Sequence, residues 1–484
     1  MSIKNNAGTG KLLCWTLAIV ALLRLLTLGL YPLTDTTEAR YAEVARKMVE
    51  LNDWITPWYD YGVPFWAKPP LSTWLTAASL KIFGINEFAA RLPYFLLAVF
   101  IAWLVWDWVG RRSKREALLT VALLSGTMLY FIASAAVMTD LALVLGTTLA
   151  MRGFWAPFEG AGSQRPKESW LLFVGLGIGL LAKGPIAVVL AGIPIALWAL
   201  FTGNIITSWK RLPWIRGSLL MLVIAVPWYW LAEIRTPGFL DYFFIGEHWK
   251  RFTVTGWTGD KYGTAHATAR GAIWLLALAA CLPWTVLMPL LAIGRKANPT
   301  STTTAAVPSQ RQWHIYLLAW AIAPCLFFTM SGNILWTYVL PALPALAMLA
   351  AGWLAGDARA RWVDGMVSAG VVTMALLVGG YFLNEQLADS WKTAKTAVTE
   401  YQARNTDKLP LLFMGDLPYS ASFYSQGKAR AVAGNVELAT RMAQGRLFVA
   451  LNPDQVQVLP AELKAGLRLE ATSGAYNLYS SLPK

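Results

Sequence analysis

The sequence predicts a polytopic α-helical membrane protein with a small α/β domain at its C-terminal end. Two features of the composition and one of the residue order predict this fold class. Of the 484 residues, 56% are hydrophobic and only 14% are charged, and the apolar residues lie in long, nearly uninterrupted runs. A soluble core of this size does not need such an excess of apolar residues. We therefore expect lipid to surround most of the chain.

The apolar runs have about the length of membrane spans. A helix of roughly 17–25 residues crosses a hydrocarbon layer about 30 Å thick. The clearest runs are 12–30, 92–109, 117–137, 186–201, 219–231, 272–293, 315–330 and 367–383. With the less regular stretches 141–156 and 170–200, they predict 11 transmembrane helices, or 13 if those stretches are divided more finely.

Basic residues between the spans predict the orientation of the chain. Clusters of Lys and Arg recur after every second span, and such clusters stay on the cytoplasmic side. They lie at 111–115, 165–167, 210–216, 295–311 and 359–361. The N-terminus is therefore predicted inside, and the loops 31–91 and 232–270 and the C-terminus outside. The net charge of +14 reflects this asymmetry and contact with anionic lipid, not nucleic-acid binding.

The composition changes at about residue 384, so we predict a transmembrane domain over 1–383 and an external α/β domain over 384–484. Short alternating segments predict strands, and polar periodic segments predict helices. The strands are 411–414, 429–433, 447–451, 467–471 and 476–480, and the helices are 387–402, 418–426 and 435–444. This domain has no Gly-rich phosphate loop, His cluster or nucleophile elbow. We assign it a supporting or acceptor-docking role.

Carboxylates open the first external loop. Asp35 precedes Glu38 by three residues, which resembles a capping box at the start of a helix that runs through about Leu51. A cap accounts for one or two acids. It does not account for the further charges that crowd the membrane surface here, where unpaired charge is costly. We therefore predict a functional role for at least one of the two acids.

Lys68 and Asp140 are the other charged residues that the sequence singles out. Lys68 lies among aromatic residues and directly before two prolines, a rigid frame that favours binding of an anionic headgroup such as phosphate. A lysine that extends its ammonium group to the membrane interface is the alternative. Asp140 follows Val137-Met138-Thr139 at the end of a span, where it is either a functional carboxylate or the N-cap of the next helix.

The second external loop carries two of the three histidines, His248 and His266, together with Glu247, Arg251 and Arg270. A His pair with acids suggests a metal site, with His266 as a candidate ligand. The spacing, however, matches no compact ligand pattern.

In this order and topology, the motifs resemble the polytopic lipid-linked sugar transferases. This family includes the aminoarabinose transferases that act on lipid A and, more distantly, the protein O-mannosyltransferases. The motifs that carry the resemblance are Thr37-Glu38-Ala39-Arg40-Tyr41, Asp53-Trp54-Ile55-Thr56-Pro57, Ala67-Lys68-Pro69-Pro70, Arg91-Leu92-Pro93, Asp140, Ala182-Lys183-Gly184-Pro185, Glu247-His248 with Arg251-Phe252, and Tyr338-Val339-Leu340-Pro341.

The resemblance implies a GT-C type glycosyltransferase fold in the bacterial inner membrane. It also implies a donor sugar on undecaprenyl phosphate, and transfer with inversion to a periplasmic acceptor. The polyprenyl phosphate is expected near Arg40, Lys68, Arg270 and Tyr338, and the catalytic carboxylates are expected to be Asp35, Glu38 and Asp140. Further candidate substrate-binding residues are Tyr41, His248, Arg251 and His266.

Two departures from the family pattern bear on these expectations. Thr37 replaces the first acid of the family's Asp-Glu pair, with Asp35 two positions upstream, and Ala67 replaces a glutamate that is associated with metal in the aminoarabinose branch. The sequence therefore requires no cofactor, and the case for a divalent metal is weakened.

Lipid A or lipopolysaccharide is the expected acceptor, and a protein or glycan hydroxyl is the alternative. A transporter or flippase of lipid-linked precursors is a second alternative. A transporter should carry ionisable residues in mid-span and related halves, whereas the charges here cluster at one face.

Overall fold

The structure is a computed structural model that describes residues 10–159, 167–263, 266–295, 308–384, 391–472 and 474–482. Helices make up most of it. The first eighteen are α1 Lys11–Thr27, α2 Thr37–Leu51, α3 Leu71–Phe83, α4 Glu87–Gly110, α5 Lys114–Ser125, α6 Met128–Ala133, α7 Asp140–Trp155, α8 Trp170–Lys183, α9 Ile186–Thr202, α10 Ile205–Arg211, α11 Trp214–Arg235, α12 Phe239–Asp241, α13 Arg251–Thr253, α14 Ile273–Ala280, α15 Trp284–Ala292, α16 Pro308–Phe328, α17 Leu343–Ala355 and α18 Ala360–Leu383.

Shorter segments complete the secondary structure. Two 3₁₀ segments, Ala156–Phe158 and Trp336–Ala342, flank longer helices, and Tyr242–Lys250 forms a π-helix. The C-terminal helices are Lys395–Arg404, Tyr419–Tyr424, Asn435–Gln444, Pro453–Val458 and Ala461–Ala465. The strands are β1 Trp58–Asp60, β2 Val63–Pro64, β3 Leu411–Met414, β4 Arg430–Val432, β5 Phe448–Leu451, β6 Leu467–Ala471 and β7 Asn477–Ser481.

Five helices in the described part are long and apolar enough to cross a membrane. They are Glu87–Gly110, Asp140–Phe158, Trp214–Arg235, Trp336–Ala355 and Ala360–Leu383. The pair α14 and α15, bent by 73°, makes a sixth if it is one broken span. The helices α8 and α9 are apolar but shorter than a full span.

This number is smaller than the 11 to 13 spans that the sequence predicts. One reason is that short non-helical segments divide some of the apolar runs into two helices. The run 117–137 forms α5 and α6, which are separated at Gly126-Thr127. The run 272–293 is divided at residues 281–283 into α14 and α15. Apolar composition alone does not register a break of two or three residues, so one apolar run can form two separate helices.

Two compact units make up the chain. The first, the membrane unit, comprises Met1–Leu25, Pro64–Ser72 and Pro93–Val378, and the second, the C-terminal unit, comprises Leu26–Val63, Thr73–Leu92 and Gly379–Lys484. The last segment of the C-terminal unit begins close to the boundary predicted at 384. Leu26–Val63 and Thr73–Leu92, which the prediction assigned to the transmembrane domain, also belong to the C-terminal unit. A single boundary along the chain therefore does not separate the two units.

Close contact between α7 and α8 organises the membrane unit. A Cβ atom added to Gly146 would lie 2.7 Å from the carbonyl oxygen of Gly175, and one added to Gly153 would lie 2.1 Å from the backbone nitrogen of Leu172. Small residues allow helix backbones to approach closely in membrane proteins. The position of α8 relative to α7 therefore depends on these glycines.

A five-stranded mixed sheet forms the core of the C-terminal unit. Its strand order is β4-β3-β5-β7-β6, with β3 parallel to β4 and β5, and β7 antiparallel to β5 and β6. Leu411 and Phe413 pack with the helix Lys395–Arg404, whereas Leu412 packs on the opposite face with Leu438. The five strands predicted from the sequence are confirmed to within one residue at each end.

The predicted C-terminal helices also form, with one difference. The helices over 418–426 and 435–444 appear as Tyr419–Tyr424 and Asn435–Gln444. The helix predicted over 387–402 appears as Lys395–Arg404, and part of its predicted start lies outside the described residues.

A glycine substitution tests the contact between α7 and α8. Gly153→Ala should destabilise the protein by about 1–3 kcal/mol, because the new methyl group overlaps the backbone of α8. The midpoint of thermal unfolding in detergent measures this. Gly192→Ala in α9 is the matched control, since a Cβ atom there meets nothing within 4 Å. An unchanged midpoint for Gly153→Ala would show that the helices are not held by this contact.

Candidate active site

A rigid loop carries Lys68 in the membrane unit. The backbone nitrogen of Trp66 donates to the Tyr262 hydroxyl at 3.0 Å, and that hydroxyl donates to the carbonyl oxygen of Pro64 at 2.7 Å. The indole of Trp66 donates to Thr236 at 3.0 Å. The loop before Lys68 is therefore attached to the 232–270 loop at several points.

Glu247 lies between two cations. Its carboxylate, 3% exposed, accepts a hydrogen bond from Lys68 Nζ and, at 2.9 and 3.1 Å, from Arg251 Nη1. Arg251 Nη1 also contacts Asp260 at 3.1 Å. Burial alone would raise the pKa of the Glu247 carboxyl, but the charges of Lys68 and Arg251 outweigh burial and hold this pKa below its usual value. Glu247 is therefore a buried anion shared by two cations.

The π-helix Tyr242–Lys250 presents Glu247 and His248. Such helices are rare and occur frequently at functional sites. His248 Nδ1 contacts the carbonyl oxygen of Phe243 at 2.8 Å, and Nε2 lies 3.3 Å from the carbonyl oxygen of Lys183. Burial lowers the pKa of His248 below its usual value, although the Phe243 carbonyl opposes this effect. The imidazole thus joins two loops as a largely neutral group at pH 7.

Gly184 allows the π-helix to approach the end of α8. Its φ is +84°, and a Cβ atom there would lie 2.6 Å from the Phe243 ring and 3.1 Å from His248 Nε2. Both the backbone conformation and the space favour glycine at this position. The glycine of the Ala182-Lys183-Gly184-Pro185 motif is therefore explained by its backbone conformation and by the close approach of the π-helix.

Asp140 and Lys183 form a second ion pair in the same unit. Lys183 Nζ lies 2.6 Å from Asp140 Oδ1, and the two side chains are 14% and 11% exposed. Lys183 Nζ also lies 4.9 Å from the centroid of the Tyr338 ring. Tyr338 is itself within electrostatic range of Lys68 and Arg251. The structure thus brings together five predicted residues, namely Lys68, Asp140, His248, Arg251 and Tyr338.

His266 and Arg270 are exposed residues of the same unit. The carbonyl oxygen of His266 accepts from the backbone nitrogen of Ile334 at 3.2 Å. Next to it, Asn333 donates through its amide to the carbonyl oxygens of Arg251 and Val254 at 2.6 and 2.8 Å. Asn333 therefore connects the segment after His266 with the end of the helical turn that holds Arg251.

Asp35 belongs to the C-terminal unit. Its carboxylate accepts from the backbone nitrogen of Ser420 at 3.1 Å and from the Ser420 hydroxyl, and its own backbone nitrogen donates to Lys392. Burial raises the pKa of Asp35, whereas the hydrogen bonds from Ser420 lower it. The capping-box interpretation fails here, because the residue before α2 is Thr36 and makes no side-chain cap.

Glu38 forms a two-point ion pair with Arg91, also in the C-terminal unit. The guanidinium donates to both Glu38 oxygens at 2.8 Å, and further to the carbonyl oxygens of Leu28, Tyr31 and Pro32. The Arg91 side chain is fully buried. These contacts hold the loop that follows α1.

Arg40 lies beside aromatic hydroxyls. Its guanidinium carbon is 5.4 Å from the centroid of the Tyr41 ring, and its charge and a side-chain hydrogen bond act on Tyr419. Tyr419 in turn hydrogen-bonds Tyr59. Arg40 and Tyr41 thus belong to a polar cluster of the C-terminal unit.

Metal-binding groups are absent from the part of the chain that the structure describes: no three or more His, Cys, Asp or Glu side chains are arranged around one point. Position 67, where the resemblance would place an acidic ligand, is a buried alanine. The described residues around Lys68 and Arg251 therefore do not fit a metal centre.

Sequence reasoning did not assign roles to Glu247, Asp260 or Lys183. Glu247 and Lys68 are separated by 179 positions in the chain, so no local pattern joins them. The available signals were the family motifs that contain Glu247 and Lys183, and the acidic residues of the loop that also carries Arg251.

Comparisons with known proteins identify similar proteins for most of the chain. Residues 14–243 match the family model described as dolichyl-phosphate-mannose-protein mannosyltransferase. Undecaprenyl phosphate-alpha-4-amino-4-deoxy-L-arabinose arabinosyl transferases of Aeromonas salmonicida and Edwardsiella ictaluri are 31% and 30% identical over 76% and 68% of this chain. The chain spans only 66% and 58% of the length of these two relatives.

The fold is that of a solved relative. The crystal structure of ArnT from Cupriavidus metallidurans bound to undecaprenyl phosphate superimposes with a TM-score of 0.76 at 20% identity, over 97% of this chain and 99% of that chain. The apo form of the same protein gives a TM-score of 0.74. These matches confirm the predicted class, a mostly helical, multi-span membrane protein with a small C-terminal mixed-sheet domain. The chain belongs to the PMT family of polytopic glycosyltransferases, and the resemblance drawn from the sequence is confirmed.

Removal of Lys183 should leave the buried carboxylate of Asp140 without its cation. Lys183→Met is expected to destabilise the protein by roughly 3–5 kcal/mol. The double variant Lys183→Met with Asp140→Asn should recover part of this loss, because no unpaired charge remains. Thermal unfolding of the four proteins gives the coupling energy. Additive effects would show that the pair does not interact.

Arg91 should act on folding through its carboxylate and carbonyl contacts. Arg91→Gln is expected to cost about 3–5 kcal/mol of stability, since it leaves Glu38 and backbone oxygens unsatisfied. Arg441→Gln, at an exposed pair on the helix Asn435–Gln444, should change stability by less than about 0.5 kcal/mol. Chemical denaturation in detergent measures both. An equal loss of stability in Arg91→Gln and Arg441→Gln would contradict the structural role assigned to Arg91.

Proposed function

We propose that the chain transfers a sugar from undecaprenyl phosphate to a periplasmic acceptor, with inversion at the anomeric carbon. The observation that carries the proposal is the pair of cations, Lys68 and Arg251, that meet at one buried carboxylate. Polyprenyl-phosphate donors present an anionic headgroup, which fixed cations bind. Relatives at about 30% identity are named as transferases that use such a donor.

The proposed chemistry divides charge between two parts of the site. Cleavage of the bond between the anomeric carbon and the phosphate oxygen builds positive charge on the sugar and negative charge on the leaving phosphate. Lys68 and Arg251 would contact the phosphate. Asp140, which is paired with Lys183, would lie on the side of the site that binds the sugar.

Lipid A is the proposed acceptor, with aminoarabinose as the transferred sugar. The names of the relatives support this donor sugar. A lipid A phosphate is already ionised and needs little base assistance, in keeping with a site that keeps its carboxylates in ion pairs. The added amine would reduce the negative charge of lipid A and thus weaken binding of cationic peptides such as polymyxin.

A protein hydroxyl is the second candidate acceptor, because the family model that matches residues 14–243 describes protein mannosyltransferases. Such an acceptor would need a general base. Asp35, Glu38 and Asp140 remain the candidates, and Arg40, Tyr41, His248, His266, Arg270 and Tyr338 remain the proposed substrate-binding residues. We also propose an inner-membrane location, with the N-terminus in the cytoplasm and the site and the C-terminal domain on the periplasmic side.

A reconstituted transfer assay tests the proposal. Purified protein in liposomes receives a panel of undecaprenyl-phosphate sugars, with lipid A or a hydroxyl-bearing peptide as acceptor, and mass spectrometry detects the product. Lys68→Ala should lower kcat/KM by about 100-fold or more, since a fixed phosphate contact is lost. Asp140→Asn, Asp35→Asn and Glu38→Gln are tested alongside, with and without a chelator.

Lys81→Ala is the matched control. Lys81 is exposed, and its ammonium group lies over the Trp54 ring, 5.7 Å from the ring centroid. Its kcat/KM should stay within about twofold of the wild type. Failure of the folded wild type to transfer sugar from any donor would overturn the enzyme proposal and favour a carrier.

A further inference from the structure

Four charged side chains of the membrane unit form what we name the balanced cluster: Lys68, Glu247, Arg251 and Asp260. Glu247 contacts both cations, and Asp260 contacts Arg251. Two positive and two negative charges thus cancel. A site built only to attract phosphate would present the cations alone.

The acids of this cluster are held firmly. Glu247 is 3% exposed and Asp260 is 6% exposed at the side chain. Asp260 Oδ1 accepts from the backbone nitrogen of Tyr262 at 3.0 Å, and Tyr262 is attached to the loop before Lys68. The negative charges are therefore part of the site and not mobile surface groups.

The proposed reaction changes the charge of the headgroup. A polyprenyl-phosphate sugar is a phosphodiester with one negative charge. When the sugar leaves, the electron pair of the broken bond stays on the phosphate oxygen, and the product is a phosphomonoester. A monoester with a second pKa of about 6 carries close to two negative charges at pH 8. Two uncompensated cations would therefore hold the product more tightly than the donor.

We propose that Glu247 is a charge-balancing residue that sets the preference of the headgroup site for phosphodiester donor over phosphomonoester product. It acts through Lys68 and Arg251, which would use their further N–H donors for the phosphate while Glu247 cancels part of their net attraction for a second charge. This inference rests on the proposed function. It predicts weak product retention and an identifiable change when the Glu247 charge is removed.

The other titratable groups around Glu247 are accounted for. Burial lowers the pKa of His248 below its usual value, which favours the neutral imidazole. Asp260 and Asp140 are held in ion pairs with cations. The groups that face the site from the surrounding segments are Lys68, Asp140, Lys183, Tyr242, His248, Arg251, Asp260 and Tyr338. The phosphate monoester, with a second pKa of about 6, is therefore the group whose charge a comparison of pH 6 with pH 8 is chosen to change.

Binding of two headgroup probes tests the inference without any transfer reaction. The probes are undecaprenyl phosphate and its methyl phosphodiester, and affinities are measured on the purified protein in detergent at about pH 6 and pH 8. The wild type should bind the monoester no more than about threefold more tightly than the diester at pH 8. Glu247→Gln should raise the monoester-to-diester preference by about tenfold or more at pH 8, and by less at pH 6.

Glu233→Gln is the matched control. Glu233 lies near the same loop and caps the backbone nitrogens of Gly238 and Leu240, so its substitution removes one charge outside the balanced cluster. The ratio of the two affinities should not change. A purely structural role for Glu247 would instead shift both probes by the same factor.

The possible outcomes decide between the two proposals. A wild type that prefers the monoester by tenfold or more at pH 8 overturns the charge-balancing role, and this arm remains decisive if Glu247→Gln does not fold. An equal shift of both probes in Glu247→Gln also overturns it, while the proposed donor chemistry stands. Binding of neither probe to the folded wild type overturns the proposed function, and the inference with it.

Discussion

Charge pairing at the ends of membrane helices is the constraint on which the rest of this structure depends. An ionised side chain without a partner is costly where water is scarce. The membrane unit meets this cost with the pairs Lys68–Glu247 and Lys183–Asp140, and the C-terminal unit meets it with Glu38–Arg91. Each pair joins segments far apart in sequence. The same contacts therefore fix loop positions and supply charged groups to the proposed headgroup site.

Local patterns explain which parts of the fold could be predicted from the sequence. The strands of the C-terminal sheet follow from apolar segments bounded by turn residues, a signal contained within a few neighbouring positions. The division of two apolar runs into separate helices was not predicted, because a short break such as Gly126-Thr127 hardly changes the composition of an apolar run. Local composition thus predicts which segments are helical better than it predicts where a helix ends.

The candidate site was predictable as a set of residue types but not as a set of contacts. Lys68 and Asp140 were singled out because an isolated charge in apolar surroundings is energetically costly and therefore indicates a functional residue. Their partners could not be assigned, since Lys68 and Glu247 are 179 positions apart and Asp35 and Ser420 are 385 apart. Asp35 and Glu38 illustrate the consequence. Their place in a loop predicted a functional role for at least one of them, and the family resemblance implied that both are catalytic. The structure gives each a partner within the C-terminal unit.

A neutral cluster also changes what substrate binding requires. If Lys68 and Arg251 were unpaired in the free protein, their burial would cost several kcal/mol per ion. With Glu247 present, both cations have an anionic partner and a hydrogen-bond acceptor before any substrate binds. The π-helix that carries Glu247 approaches the end of α8 only because Gly184 has no side chain. The backbone geometry, the charge balance and the proposed headgroup recognition therefore all depend on one local arrangement.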